Sequence, residues 1–165
     1  MKRIVTLVLL VLLLCGCAQS QTSNINTASF YYRSASEWYA QDTGILAVEV
    51  VTISGTESLE SLLAQYLNGP LSENLISPFP ADTKLLTFSL ENSTATITLD
   101  DSFLSLIGIE RTLACACLAK TIFSISGCQA VTILSGESTN TDKLHMNIRT
   151  DDIMLIDDSI IPQEG

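Results

Sequence analysis

The chain has 165 residues, 47% of them hydrophobic, with 18 acidic against 8 basic side chains and a formal net charge of −10. A body so acidic is repelled by phosphate backbones, which excludes nucleic acid as a partner, and its average charge argues equally against docking on anionic lipid headgroups. The length is one domain's worth and is enough to bury a core.

Met1-Lys2-Arg3 places two cations before an apolar run from Ile4 to Leu14 broken only by Thr6, the order of the charged and hydrophobic regions of a secretion signal. The run is too short to span a bilayer, which takes roughly 20 apolar residues. It ends in Leu14-Cys15-Gly16-Cys17, which resembles the lipobox of bacterial lipoproteins: an aliphatic residue at minus three, a small one at minus one and Cys at plus one. An ordinary secretory signal is the rival reading, but it has no need of Cys directly after Gly. The resemblance implies that residues 1–16 are removed and that Cys17 becomes a lipidated N-terminus. Its two or three acyl chains then anchor the protein at the extracytoplasmic face of the cell membrane. Removal of the signal leaves 149 residues with six basic against 18 acidic side chains, a net charge of about −12.

Residues 17–28 are polar and small without periodicity, which predicts a flexible tether. Ser29 to Arg33, with Phe30, Tyr31 and Tyr32, predicts a first strand, and Gly44 to Ile53, rich in Val and Ile, a second. Trp38 and Tyr39 between them form a candidate exposed aromatic pair for interaction. Thr56 offers an N-cap to a helix carrying Leu59, Leu62, Leu63, Tyr66 and Leu67 on one face, stopped by Asn68-Gly69-Pro70. Leu71 to Asp82 reads as a loop without regular structure. Lys84 to Leu90 and Thr94 to Leu99 flank the turn chemistry of Glu91-Asn92-Ser93 and predict a hairpin. From Ser105 to Ser126 the chain is dominated by Leu, Ile, Ala and Cys, so this second helix must be buried on most of its circumference. Gly127 closes it, and Gln129 to Leu134 predicts a strand. Residues 137–165 form a C-terminal extension with one or two weak strands, Leu144 to Ile148 and Ile153 to Ile156, and an acidic tail. The expectation is an α+β fold of order β-β-α-β-β-α-β, with two helices packed on one face of a mixed β-sheet.

Few residues suggest chemistry. His145 is the only histidine and no Gly-x-Ser-x-Gly elbow occurs, so no hydrolase pattern is present. Asp100, Asp101 and Glu110 are the carboxylates nearest to a glycosidase pair, but Asp100 and Asp101 lie where a strand ends and a helix begins, where acids act as caps and dipole partners. Asp151-Asp152 and Asp157-Asp158 lack the spacing and the Gly of a calcium loop. Beyond Cys17 the cysteines are Cys115, Cys117 and Cys128, so at most one disulfide can form among them. Residues two apart on a helix point about 200° apart, so Cys115 and Cys117 cannot close on one metal ion, and all three are expected to be small core residues. No catalytic, cofactor or metal residue is therefore assigned.

Five stretches carry a family likeness. The first two are Leu62-Leu63-Ala64-Gln65-Tyr66-Leu67-Asn68-Gly69-Pro70 and Phe79-Pro80-Ala81-Asp82-Thr83-Lys84-Leu85-Leu86. The third, Ala95-Thr96-Ile97-Thr98-Leu99-Asp100, is followed by Thr121-Ile122 and Gly127-Cys128-Gln129-Ala130-Val131-Thr132-Ile133-Leu134-Ser135-Gly136. In order they resemble the GerMN domain of sporulation and spore germination proteins, over residues 29–136. Two positions depart from the family pattern: its second-strand Arg is replaced near Val50, and Ser126 stands where Pro is common. The likeness implies a ring-building-motif-like fold and a non-catalytic interaction or assembly role in sporulation, germination or the cell envelope. Its partner is expected to be an envelope protein or a second copy. The alternative is a lipoprotein that binds a cell-wall glycan or peptide through Trp38 and Tyr39.

Overall fold

A computed structural model of the chain describes residues 26–36, 45–136 and 144–153. Cys17, Trp38, Tyr39 and Asp157-Asp158 lie outside these residues, as do residues 154–156 of the last expected strand. Among the described residues, two α-helices and seven strands make an α+β fold. What the sequence does not disclose is that the strands divide into two sheets, one antiparallel with three strands and one mixed with four.

In the three-stranded sheet β1 (Asn26–Ser34) is central, between β2 (Leu46–Ile53) and the two-residue β3 (Leu75–Ile76). The β1–β2 register runs from Asn26 opposite Ile53 to Arg33 opposite Leu46. Alternation sends Ala28, Phe30 and Tyr32 with Ala47 and Val51 into the core. β1 therefore begins inside the stretch expected to be tether, at Asn26. Polar side chains there concealed a backbone that has Ile53, Thr52 and Val51 to pair with, and Ala28 is buried by that pairing. β3 corrects the expectation of an irregular loop after residue 71. Leu75 is buried and pairs with Ser34, and two residues carry no periodicity for a sequence to display.

In the four-stranded sheet the order is β4 (Leu85–Glu91), β5 (Thr94–Leu99), β6 (Ala130–Ser135) and β7 (Leu144–Arg149). Asn92 and Ser93 both have positive φ, 49° and 62°. That is the two-residue primed turn whose twist matches the flanking strands. β5 and β6 run parallel, which requires a long crossover, and the second helix supplies it. Ala95, Ile97, Leu99, Val131 and Ile133 point inward, while Thr94, Thr96, Thr98 and Thr132 alternate outward.

Helix α1 spans Leu59–Leu67 and buries Leu62, Leu63, Tyr66 and Leu67 as its spacing predicts. Its N-cap is Ser58, whose hydroxyl accepts from the Ser61 N–H, rather than Thr56, whose hydroxyl meets that of Ser54. The second helix, expected from Ser105, is α2 over Gly108–Ser126, and a 3-10 turn, Asp101–Ser105, precedes it. Arg111 holds the break between them, donating to the carbonyls of Leu106 at 2.6 Å and Leu104 at 3.0 Å. α2 packs against β1 on one side and β6 on the other, which is why it is apolar nearly all round. It ends on Gly127 at φ +66°, with no atom within 4 Å of where a Cβ would stand. Gly127→Ala should thus cost only the backbone strain of a left-handed L-residue, about 1 to 2 kcal/mol, read from the shift in urea midpoint.

Between Asn26 and Tyr32 the side of β1 that faces away from β2 has no strand partner among the described residues. Side chains occupy it. The Tyr31 N–H donates to the Thr121 hydroxyl of α2 at 2.9 Å, and the Tyr31 carbonyl accepts from the Tyr66 hydroxyl of α1 at 2.7 Å. Tyr32 in turn donates its hydroxyl to the Tyr66 carbonyl at 3.0 Å. Phe30, Tyr32 and Phe79 pack around the Tyr66 ring with centroids 4.9 to 5.4 Å away. One buried knot thus joins both helices to the three-stranded sheet and satisfies an otherwise open strand edge.

Candidate functional site

The carboxylates nearest to a catalytic pair have structural surroundings. Asp100 sits at the end of β5, where one carboxylate oxygen accepts from the Lys84 N–H and from the Ser102 hydroxyl. Its carbonyl accepts from the buried Ser135 hydroxyl at 2.7 Å, which ties β5 to β6. Asp101 opens the 3-10 turn and Glu110 lies in the first turn of α2, both exposed and both where the helix dipole favours an acid. His145 is exposed on β7 opposite Leu134. Asp152 accepts from the Arg149 N–H at 2.9 Å within the 3-10 turn Thr150–Asp152.

Cys115, Cys117 and Cys128 are free thiols, all buried. Desolvation pushes the Cys115 thiol up to about 11 and the Cys117 thiol up to about 12, from an ordinary value of 9.0. A thiol raised in this way stays protonated and unreactive at neutral pH. The contribution of these two thiols to stability is thus fully present below about pH 9 and is lost progressively as pH rises from there through 11 to 12, because the unfolded chain ionises first. Thiol reagents at pH 8 should label none of the three in the folded protein and all three in denaturant. Replacing them together by Ala, Ala and Val should preserve the fold and cost about 1 to 3 kcal/mol by urea titration.

Concavities occur among the described residues. A groove of about 550 Å³ at one end of the four-stranded sheet is lined by Asn92, Ser93, Gln129, Arg149, Thr150 and Asp151. Its walls are already committed to one another: Gln129 N–H donates to the Ser93 carbonyl, and the Thr150 N–H and hydroxyl both donate to the Gln129 carbonyl. A smaller one of about 250 Å³ lies between β1, β2 and the end of α1, beside Tyr32, Glu49 and Pro70. The Glu49 carboxylate crosses it to accept from the N–H groups of Leu71 and Ser72, the latter at 2.8 Å. Glu49 thus latches the loop after Gly69-Pro70 to β2, a role invisible in the sequence because the partners are backbone groups 22 and 23 residues away.

The features left for recognition are the sheet margins. β2, β4 and β7 each close a sheet with one edge unpaired among the described residues. β4 carries exposed Leu86 and Leu90 between Lys84 and Glu91, with an irregularity in register between Leu85 and Thr87. Among the described residues no cluster of three or more metal-ligating side chains occurs, and no helix is long and apolar enough to cross a membrane.

Residues 29–141 match the Germane family, described as sporulation and spore germination. No curated protein matches. Among solved structures, the first GerMN domain of the sporulation protein GerM from Bacillus subtilis aligns with a TM-score of 0.52 at 15% identity, covering 68% of this chain and 84% of that one. The tandem GerMN domains of the same protein align with a TM-score of 0.51 at 15% identity, covering 72% of this chain and 43% of that one. At such identity the structures speak for the fold alone; with the family match over most of the domain, the chain belongs to the Germane family of sporulation and spore germination proteins.

Proposed function

We propose that the protein is a lipid-anchored, extracytoplasmic lipoprotein whose GerMN domain acts by contact rather than catalysis, in sporulation, germination or maintenance of the envelope. The observation that carries this reading is the family match over residues 29–141, placed directly behind a signal segment that ends in Leu14-Cys15-Gly16-Cys17. The surroundings of Asp100 support it, because a carboxylate held by Lys84, Ser102 and the strand end is a structural group rather than a free acid or base.

The partner is an envelope protein or a second copy, and the unpaired edge of β4 is the surface best suited to it. An open edge offers backbone donors and acceptors to a neighbouring strand, and Leu86 and Leu90 add apolar area beside it. The purified protein should show no turnover of peptidoglycan fragments. Turnover that disappears in Asp100→Asn or Glu110→Gln would overturn the reading.

A further inference from the structure

The outer face of the three-stranded sheet combines exposed aliphatic side chains with cations and no acid on its two long strands. Register places Thr27, Ser29, Tyr31 and Arg33 of β1 on that face with Thr52, Val50, Val48 and Leu46 of β2 directly opposite them, and Ile76 of β3 beside Arg33. None of these is acidic in a chain with 18 acidic residues. Glu49, the one acid in the two long strands, points to the other face, where it holds the loop after Pro70. Lys120 of α2 extends its ammonium over the Tyr31 ring, 4.8 Å from the centroid, and adds a second cation to the face beside Arg33. Around these cations Val48 is 47% exposed, Val50 61% and Ile76 46%. Leu71, Ile107 and Ile109 are exposed as well, but no strand pairing gathers them onto one surface.

Aliphatic side chains beside an aromatic and two cations, with no carboxylate among the outward residues of β1 and β2, match the interface of an anionic bilayer. The start of the strand supplies the second line of argument. β1 begins at Asn26, eight residues beyond the expected acyl-bearing Cys17 (residues 18–25). Eight residues span at most about 29 Å even when fully extended. The sheet containing β1 is thereby kept within touching distance of the membrane.

We propose that the outer face of the three-stranded sheet, with Arg33, Lys120, Val48, Val50 and Ile76, rests on the anionic bilayer surface that holds the acyl chains of Cys17. This rests on the lipid anchor proposed above. The net charge of the whole chain argues against such a contact, but charges on the far side of the domain lie beyond the screening length of about 8 to 10 Å, so the local face decides. The anchor also makes docking intramolecular, with an effective concentration on the order of millimolar, so that a face too weak to bind vesicles by itself is held down once tethered. Docking in this way leaves the edge of β4, in the other sheet, available to a partner.

The test uses the full acylated protein reconstituted in vesicles of phosphatidylglycerol and phosphatidylcholine containing brominated lipid. An environment-sensitive fluorophore is placed at Val50→Cys, or for comparison at Ser89→Cys on the four-stranded sheet; the buried native thiols do not compete for label. The label at position 50 should shift to the blue and be quenched by bromine, and the label at position 89 should not. Adding Val48→Asp and Arg33→Gln should abolish quenching at position 50 while the protein still floats with the vesicles. A label at position 50 that stays in water on a floating protein overturns the docking alone. A label shielded without bromine quenching, which means that a second copy covers the face, does the same. Protein that fails to float removes the lipid anchor and the docking with it.

Discussion

Tyr66→Ala should be the most damaging single change in the domain, lowering stability by about 3 to 5 kcal/mol in urea unfolding. Against a total of about 5 to 15 kcal/mol for an ordinary domain, this is enough to leave a large unfolded fraction. The ring is wholly buried against Phe30, Tyr32 and Phe79, so its removal opens a cavity where both helices meet the three-stranded sheet. Its hydroxyl does a separate job. In Tyr66→Phe the packing is kept but the Tyr31 carbonyl loses its donor, which should cost about 1 to 3 kcal/mol. Thr121→Val removes the acceptor of the Tyr31 N–H on the same residue and should cost a similar amount, about 1 to 3 kcal/mol. Because both bonds end on one peptide segment, the double variant should deviate from additivity, and a double-mutant cycle measures that coupling. Strictly additive losses would mean that the two helices do not share Tyr31 as a common support.

Cys17→Ser should have the largest effect on the protein's fate. Without the thiol, acylation stops and the precursor accumulates with residues 1–16 still attached, even though Cys15 stands close by. Intact-mass spectrometry of membrane fractions reads this directly. The wild-type mass should correspond to a chain that begins at Cys17 and carries acyl groups, and the variant to the unacylated precursor. A wild-type mature chain that begins at any other residue would remove the anchor from the account.

Much of the fold was legible where local chemistry and tertiary demand coincide. The Leu59, Leu62, Leu63, Tyr66, Leu67 stripe became α1, Asn92-Ser93 became the hairpin turn, and Gly127 became the left-handed end of α2. Legibility failed where structure depends on distant partners. The division into two sheets depends on α2 filling the open side of β1 through Thr121, a contact between residues 90 apart in sequence that no periodicity announces. β3 exists only because Arg33 and Ser34 lie beside it. The start of α1 lies two residues beyond the Thr56 cap expected from sequence, because the Ser58 hydroxyl is the one placed to accept the Ser61 N–H. The family pattern's departure at Ser126 has a local explanation. Its hydroxyl donates to the Ile122 carbonyl at 2.6 Å and accepts from the Cys128 N–H at 3.2 Å, closing the helix end without a proline. For the candidate site the position is reversed. The sequence expects Asp100 to cap the turn that follows it, but its carboxylate makes no cap bond and instead accepts from the Lys84 N–H and the Ser102 hydroxyl, and Glu49 and the acid-free strand face emerge only from register. Trp38 and Tyr39 fall outside the described residues.

The claim that the domain works by contact at the membrane is tested most directly by crosslinking in intact cells, with a photoreactive residue placed at Leu86 or Leu90 on the edge of β4 and the products identified by mass spectrometry. The account predicts recurrent crosslinks to one or a few envelope proteins, or to a second copy of the chain, that weaken in Cys17→Ser. Crosslinks confined to cytoplasmic proteins, or none above the level of a control at exposed Glu110, would contradict it.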